Sequence, residues 1–153
     1  MVQTRRGKTK ARFVYEGIEY DVDVDSELDV VRENLFNEFK EQPGKYAFYA
    51  AAYAAAQMAV ERASMNVAIA ESQASARLRA TPVGTDSKGK PKDPSEAFIK
   101  SELPRQKEVT DAVDKLVDAR GQEAVLRALK EAFQHRRDML IQIGYDTRVE
   151  LRT

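Results

Sequence analysis

Between Ala11 and Val24 the chain alternates apolar and polar positions. Phe13 and Tyr15 share one side. After Glu16-Gly17, the residues Ile18, Tyr20, Val22 and Val24 share one side, with Glu19, Asp21, Asp23 and Asp25 on the other. Period-two alternation around a glycine-containing turn predicts a β-hairpin. Two strands alone are marginal in water, so the hairpin requires a helix or a neighbouring subunit to pack on. From Ser26 the period changes. Ser26 reads as a helix N-cap with Asp29 three residues on, and Leu28, Val31, Leu35 and Phe39 follow at helical spacing with Phe36 alongside. Gln42-Pro43-Gly44 predicts the end of that helix.

The segment Lys45 to Ala80 contains neither proline nor glycine, and fourteen of its 36 residues are alanine, the best helix former. Tyr46, Tyr53, Val60, Val67 and Ala74 recur every seven residues, and Tyr49, Ala56, Ala63, Ala70 and Arg77 stand three positions after each. This is the a/d seam of a coiled coil, with small residues that permit close helix approach. A helix of about 54 Å carrying such a seam requires other helices, from this chain or from copies of it. Tyr46, Tyr49, Tyr53, Val60, Ala63 and Val67 are the expected oligomer interface.

Residues 81–94, TPVGTDSKGKPKDP, read as a flexible basic loop. Asp93 as N-cap and Pro94 at the first helical position start the next helix, through Phe98, Ile99 and Leu103, and Pro104 kinks or restarts it. Val109, Val113, Leu116 and Val117 continue the apolar stripe, and Gly121 weakens it without demanding a break. Val125, Leu129, Phe133, Leu140 and Ile143 lead to Gly144, read as a C-cap. Arg136 and Arg137 sit near that end, where the helix dipole favours cations. Tyr145–Thr153 reads as a short strand or an extended arm. The expected fold is mainly α: a long Ala-rich helix and amphipathic helices in an oligomeric assembly, with a small N-terminal hairpin. The expected division is a flexible basic arm at 1–12, hairpin and short helix at 13–44, and a helical oligomerisation and DNA-binding domain at 45–153.

One-third of the residues are charged and 42% are hydrophobic, a balance for a folded, water-exposed chain. The least charged stretch, Tyr46 to Val60, is too short and too alanine-rich to span a bilayer, so no membrane partner is expected. The start, MVQTRRGKTK, has no apolar core of a secretory signal. Without cysteine there are no disulfides or thiolate metal sites. The net charge is zero but segregated. Residues 1–12 carry Arg5, Arg6, Lys8, Lys10 and Arg12 without an acid, whereas 13–41 hold ten acids against Arg32 and Lys40. The basic parts suit a polyanion, and opposite ends can attract across subunits. The plainer reading of the first twelve residues is a solubilising tail.

Nothing in the sequence has the spacing of a phosphate-binding loop, a dinucleotide site or a nucleophile elbow. His135 is flanked by Gln134, Arg136 and Arg137, cationic company that disfavours a metal, so it reads as a surface residue. The acids of 16–29 match a hairpin's solvent face rather than a calcium loop. No catalytic residue, metal or cofactor is expected. The row Tyr46, Tyr49, Tyr53 could stack nucleobases, but its coincidence with the seam favours packing. Arg77 and Arg79 close the long helix and precede Lys88, Lys90 and Lys92. Repeated around an oligomer, these five cations would form a ring of positive charge, and phosphate affinity grows with the number of cations gathered.

The order of features also resembles a known family. A long Ala-rich helix ends in SARLRA; a Gly/Lys loop, IKSEL and an amphipathic helix from Leu126 to Tyr145 follow. With Ala76-Arg77-Leu78 and Lys100-Ser101-Glu102-Leu103 as its closest local matches, residues 45–148 resemble the UvsY-like recombination mediators of T4-type bacteriophages. The resemblance implies an oligomer that binds single-stranded DNA. It implies helping a RecA-like recombinase displace the single-strand-binding protein, during DNA recombination, repair and replication in the cytoplasm of the infected bacterial host. It implies no ATPase. The family's basic pair before the loop is a lysine and an arginine two apart. Arg77 matches the arginine, Ser75 stands in the lysine's place, and Arg79 supplies a charge two residues later. The resemblance thus points to Arg77, with Arg79 as its partner, as the principal DNA contact; the charge pattern adds Lys88, Lys90 and Lys92, with Arg5, Arg6, Lys8, Lys10 and Arg12 auxiliary. The hairpin and arm have no counterpart in the family pattern. Two rivals remain: a phage structural or assembly coiled coil without DNA affinity, and a duplex-binding regulator that uses the basic arm.

Overall fold

The structure, a computed structural model, describes residues 9–150. It is mainly helical, with a two-stranded antiparallel hairpin at its amino-terminal side. Strands β1 (Lys10–Tyr15) and β2 (Ile18–Asp23) pair so that Phe13 faces Tyr20. Glu16 and Gly17 have φ of 51° and 76°, the left-handed pair that a two-residue hairpin turn requires. The alternation therefore holds. The hairpin packs on its own chain: Phe13 is 2% exposed and stacks on Tyr20, and Phe48 meets Tyr15 and Tyr20 edge-on. The Gln122 side chain accepts a hydrogen bond from the Val14 backbone N–H, 3.2 Å.

After the hairpin the sequence expectation shifts. Helix α1 (Val24–Leu28) is capped by Asp23, whose carboxylate accepts from the Ser26 N–H, so Ser26 lies inside the helix. The chain then leaves helical geometry at Asp29, makes a 3-10 turn at Arg32–Asn34, and enters α2 (Leu35–Ala80). Pro43 does not end that helix. A proline deprives a helix interior of one hydrogen bond and crowds the preceding turn. Here tertiary contacts carry the helix across: the Gln42 amide donates to the Phe133 carbonyl, 2.7 Å, and the Phe39 ring lies against Gly144.

Three further corrections concern the second half. The cap of α3 (Glu96–Glu102) is Ser95, whose hydroxyl accepts from the Phe98 N–H, rather than Asp93. A 3-10 turn at Leu103–Arg105 uses Pro104 and restarts the chain as α4 (Lys107–Glu150). Gly144 is inside α4, not at its end, and 145–150 are helical rather than extended. A missing Cβ is useful at Gly144, because a built Cβ would come within 3.1 Å of the Phe39 ring.

The described residues form two compact units. One comprises the chain up to Gln57 and from Gly121 onward; the other is Met58–Arg120. In the first, Phe13, Tyr49, Ala52, Ala56, Leu126, Leu129 and Phe133 form the core, with Tyr49 stacked on Phe133 at 4.6 Å between centroids. In the second, Ala70, Ala74 and Val109 form a smaller core with Leu103 and Ala112. Alanine on α2 lets the facing helix approach closely, while aromatic and branched residues opposite fill the space. The heptad seam is thus covered, at these positions, by other segments of the same chain. Its length does not by itself demand copies.

Candidate nucleic-acid interface

Helix α2 ends by presenting Arg77 and Arg79 to solvent. The loop that follows is crossed by backbone hydrogen bonds between 83 and 92. Val83 N–H donates to the Lys92 carbonyl and Lys92 N–H to the Gly84 carbonyl, with Thr85 bridged to Pro91. At the tip one carboxylate oxygen of Asp86 accepts from both the Lys88 and Lys90 N–H groups, 2.8 and 2.9 Å. Gly84 and Gly89 take φ near 77° and 76°, which the reversal requires and L side chains resist. One oxygen of Asp86 is thereby committed to backbone. Lys88, Lys90 and Lys92 are exposed, and none of them forms an ion pair among the described residues.

The two arginines differ from the lysines. Arg79 grips both carboxylate oxygens of Glu96 at 3.2 Å, and Arg77 pairs with Glu108. Forked guanidinium–carboxylate contact uses the donors that would hold a phosphate. Lys88, Lys90 and Lys92 are therefore the open part of the patch, and Arg77 and Arg79 the occupied part. Arg5, Arg6 and Lys8 lie outside the described residues. Their neighbours Lys10 and Arg12 both reach Asp21 of the hairpin, at 3.8 and 3.3 Å.

The residues expected at an oligomer interface separate. Tyr49 is buried in the first core, so it is not available to another copy. Tyr53 is half-buried beneath two cations: the Lys130 Nζ and Arg127 Cζ lie 5.0 and 5.9 Å from its ring centroid. Its hydroxyl accepts from Gln57 and Arg127. Neither ring offers a free face to a nucleobase. Tyr46 is half-buried at the edge of an apolar groove, and Val60, Ala63 and Val67 are half-buried on α2.

Sequence reasoning placed Arg136 near a helix C-terminus, where the dipole favours a cation. It is 3% exposed. Its guanidinium donates to the Gln42 side chain at 2.7 Å, to the Asp29 carbonyl at 2.9 Å, and to the Glu38 carboxylate. This pins α4 to α2 and to the loop after α1. Leu126, Leu129, Phe133, Arg136 and Leu140 follow a three-four spacing, so the burial was signalled by position although the residue type argued against it. His135 is exposed, as expected. Among the described residues no group of three or more acids and histidines could hold a metal, and no helix is long and apolar enough to cross a membrane.

Comparison of the chain with family models, with curated proteins and with solved structures gives no match in any of the three.

Proposed function

We propose that this chain is a non-enzymatic recombination mediator that binds single-stranded DNA as an oligomer and helps a RecA-like recombinase replace the single-strand-binding protein. The observation that carries the DNA-binding part is the braced turn of 83–92, which holds three unpaired lysines beside the end of a long helix. Preorganised cations lose little entropy on binding a phosphate chain. Counterion release then supplies affinity without base readout. The single-strand preference, the recombinase and the mediator role come from the UvsY-like resemblance, and with them the setting of an infected bacterial cell. Repetition of the patch in an oligomer raises its affinity by multivalency.

The reading is tested by titrating single-stranded and duplex oligonucleotides across salt, comparing wild type with Lys88→Ala/Lys90→Ala/Lys92→Ala. The expected result is single-strand binding that weakens with salt and drops in the triple variant. Equal binding by the variant, or a preference for duplex, contradicts it. The structural or assembly role is the second reading, favoured by one observation: Glu96 and Glu108 already neutralise Arg79 and Arg77. It predicts incorporation into particles with no DNA affinity.

A further inference from the structure

On the first unit, α2 and α4 leave a groove of about 330 Å³ lined by Phe39, Pro43, Tyr46, Leu140 and Ile141, with Gln134 and Arg137 at its edge. Phe36, one turn before Phe39, is 80% exposed, more than any other large apolar residue of the described chain. Tyr145 and Ile141 are also exposed. Scattered apolar residues on a surface are ordinary, but an aromatic knob beside an apolar groove marks a contact surface.

We propose that this surface is a twofold interface between two copies of the chain, with the first turns of α2 crossing antiparallel and Phe36 of each copy packed at the Phe39 end of the other's groove. The charges around Phe36 select a second copy as occupant. Glu33, in the 3-10 turn, stands three positions before Phe36, and Lys40, on α2, four positions after it, so opposite charges flank the ring along the chain. Glu33 and Lys40 are exposed, and neither forms an ion pair among the described residues. A twofold axis near Phe36 puts Glu33 of one copy opposite Lys40 of the other, and repeats the pair on the far side. The surface is thus self-complementary in shape and charge, as an isologous contact requires. A parallel arrangement would instead place Glu33 against Glu33 and Lys40 against Lys40. Knob and groove are fixed on the same unit, so they are present together in every copy.

This deepens the oligomeric part of the functional reading and is independent of DNA. The test is sedimentation equilibrium of the full chain without DNA, with circular dichroism to confirm folding. Phe36→Asp weakens self-association by at least about 30-fold, the scale of an aromatic anchor. Glu33→Lys and Lys40→Glu each weaken it about fivefold or more, because the twofold repeats each clash, and the double exchange Glu33→Lys/Lys40→Glu restores it. All three residues are exposed, so the substitutions spare the fold. A wild-type monomer at concentrations up to about 100 μM overturns the interface together with the oligomeric part of the reading. An oligomer indifferent to Phe36→Asp, or one that the double exchange does not rescue, overturns the interface alone and assigns the groove to another occupant.

Discussion

Arg136 shows how much one side chain can hold. Its charge is buried, and it is matched by Glu38, Gln42 and the Asp29 carbonyl. Arg136→Ala leaves Glu38 Oε2 and Gln42 Oε1 without their donor, and is expected to cost about 3–5 kcal/mol in urea denaturation. The hydrogen bond from Arg136 holds the Glu38 carboxyl below its ordinary value of 4.5, against the opposing effect of burial. A depressed folded value means this stabilisation is present above the ordinary value and is lost as pH falls through the lowered one. The acid limb of the stability curve is therefore shallower in Glu38→Gln than in wild type, read from denaturation midpoints between neutral and acid pH. Tyr49 acts at the other extreme. Burial pushes its phenol from 10.0 up to about 12, so its contribution is complete below about pH 10 and is lost as pH rises through the folded value. Unfolding at alkaline pH is expected to shift upward in Tyr49→Phe, provided the fold is kept, because no phenolate must then form. Tyr49's position in the seam was legible. Arg136's was concealed by a residue type that is usually solvated.

At the scale of elements, periodicity located the hairpin and the long helices, and local punctuation misplaced their ends. Pro43-Gly44 and Gly144 carry the signals of helix termination, yet α2 and α4 pass through them because Gln42, Phe39 and Arg136 bind the two helices on either side. Propensity is set over one turn, whereas these contacts join residues about ninety or more positions apart. The glycines separate by environment. A Cβ added at Gly121 or Gly44 meets nothing within 4 Å, whereas at Gly144 it meets Phe39. Gly121→Ala is expected to raise stability by about 0.5–1 kcal/mol. Gly144→Ala is expected to gain less or lose, since the ring must move. Thermal melts of the two variants beside wild type decide the order. The basic turn at 83–92 was legible in composition but not in shape, because the brace depends on the Asp86 carboxylate turning back onto the Lys88 and Lys90 N–H groups.

At the scale of the molecule, the proposed reading makes the patch a competition between phosphate and the protein's own acids. Glu96 lies seventeen positions from Arg79 and Glu108 thirty-one from Arg77, so neither pairing was visible in the charge pattern along the chain. Exposed ion pairs are weak, and a polyanion with many phosphates can displace them. Glu96→Gln and Glu108→Gln are expected to raise affinity for single strands by about two- to fivefold each, with the gain lost in Arg77→Ala/Arg79→Ala. In that reading the lysines, which form no ion pair among the described residues, set the first encounter. The direct measurement is the slope of log affinity against log salt for a single-stranded oligonucleotide, in wild type and in Lys88→Ala/Lys90→Ala/Lys92→Ala. The account predicts a negative slope of about −0.7 per neutralised phosphate, shallower by about 2 for each fully engaged chain in the triple variant. An affinity that does not change with salt, or a slope that is the same in the two proteins, would contradict it.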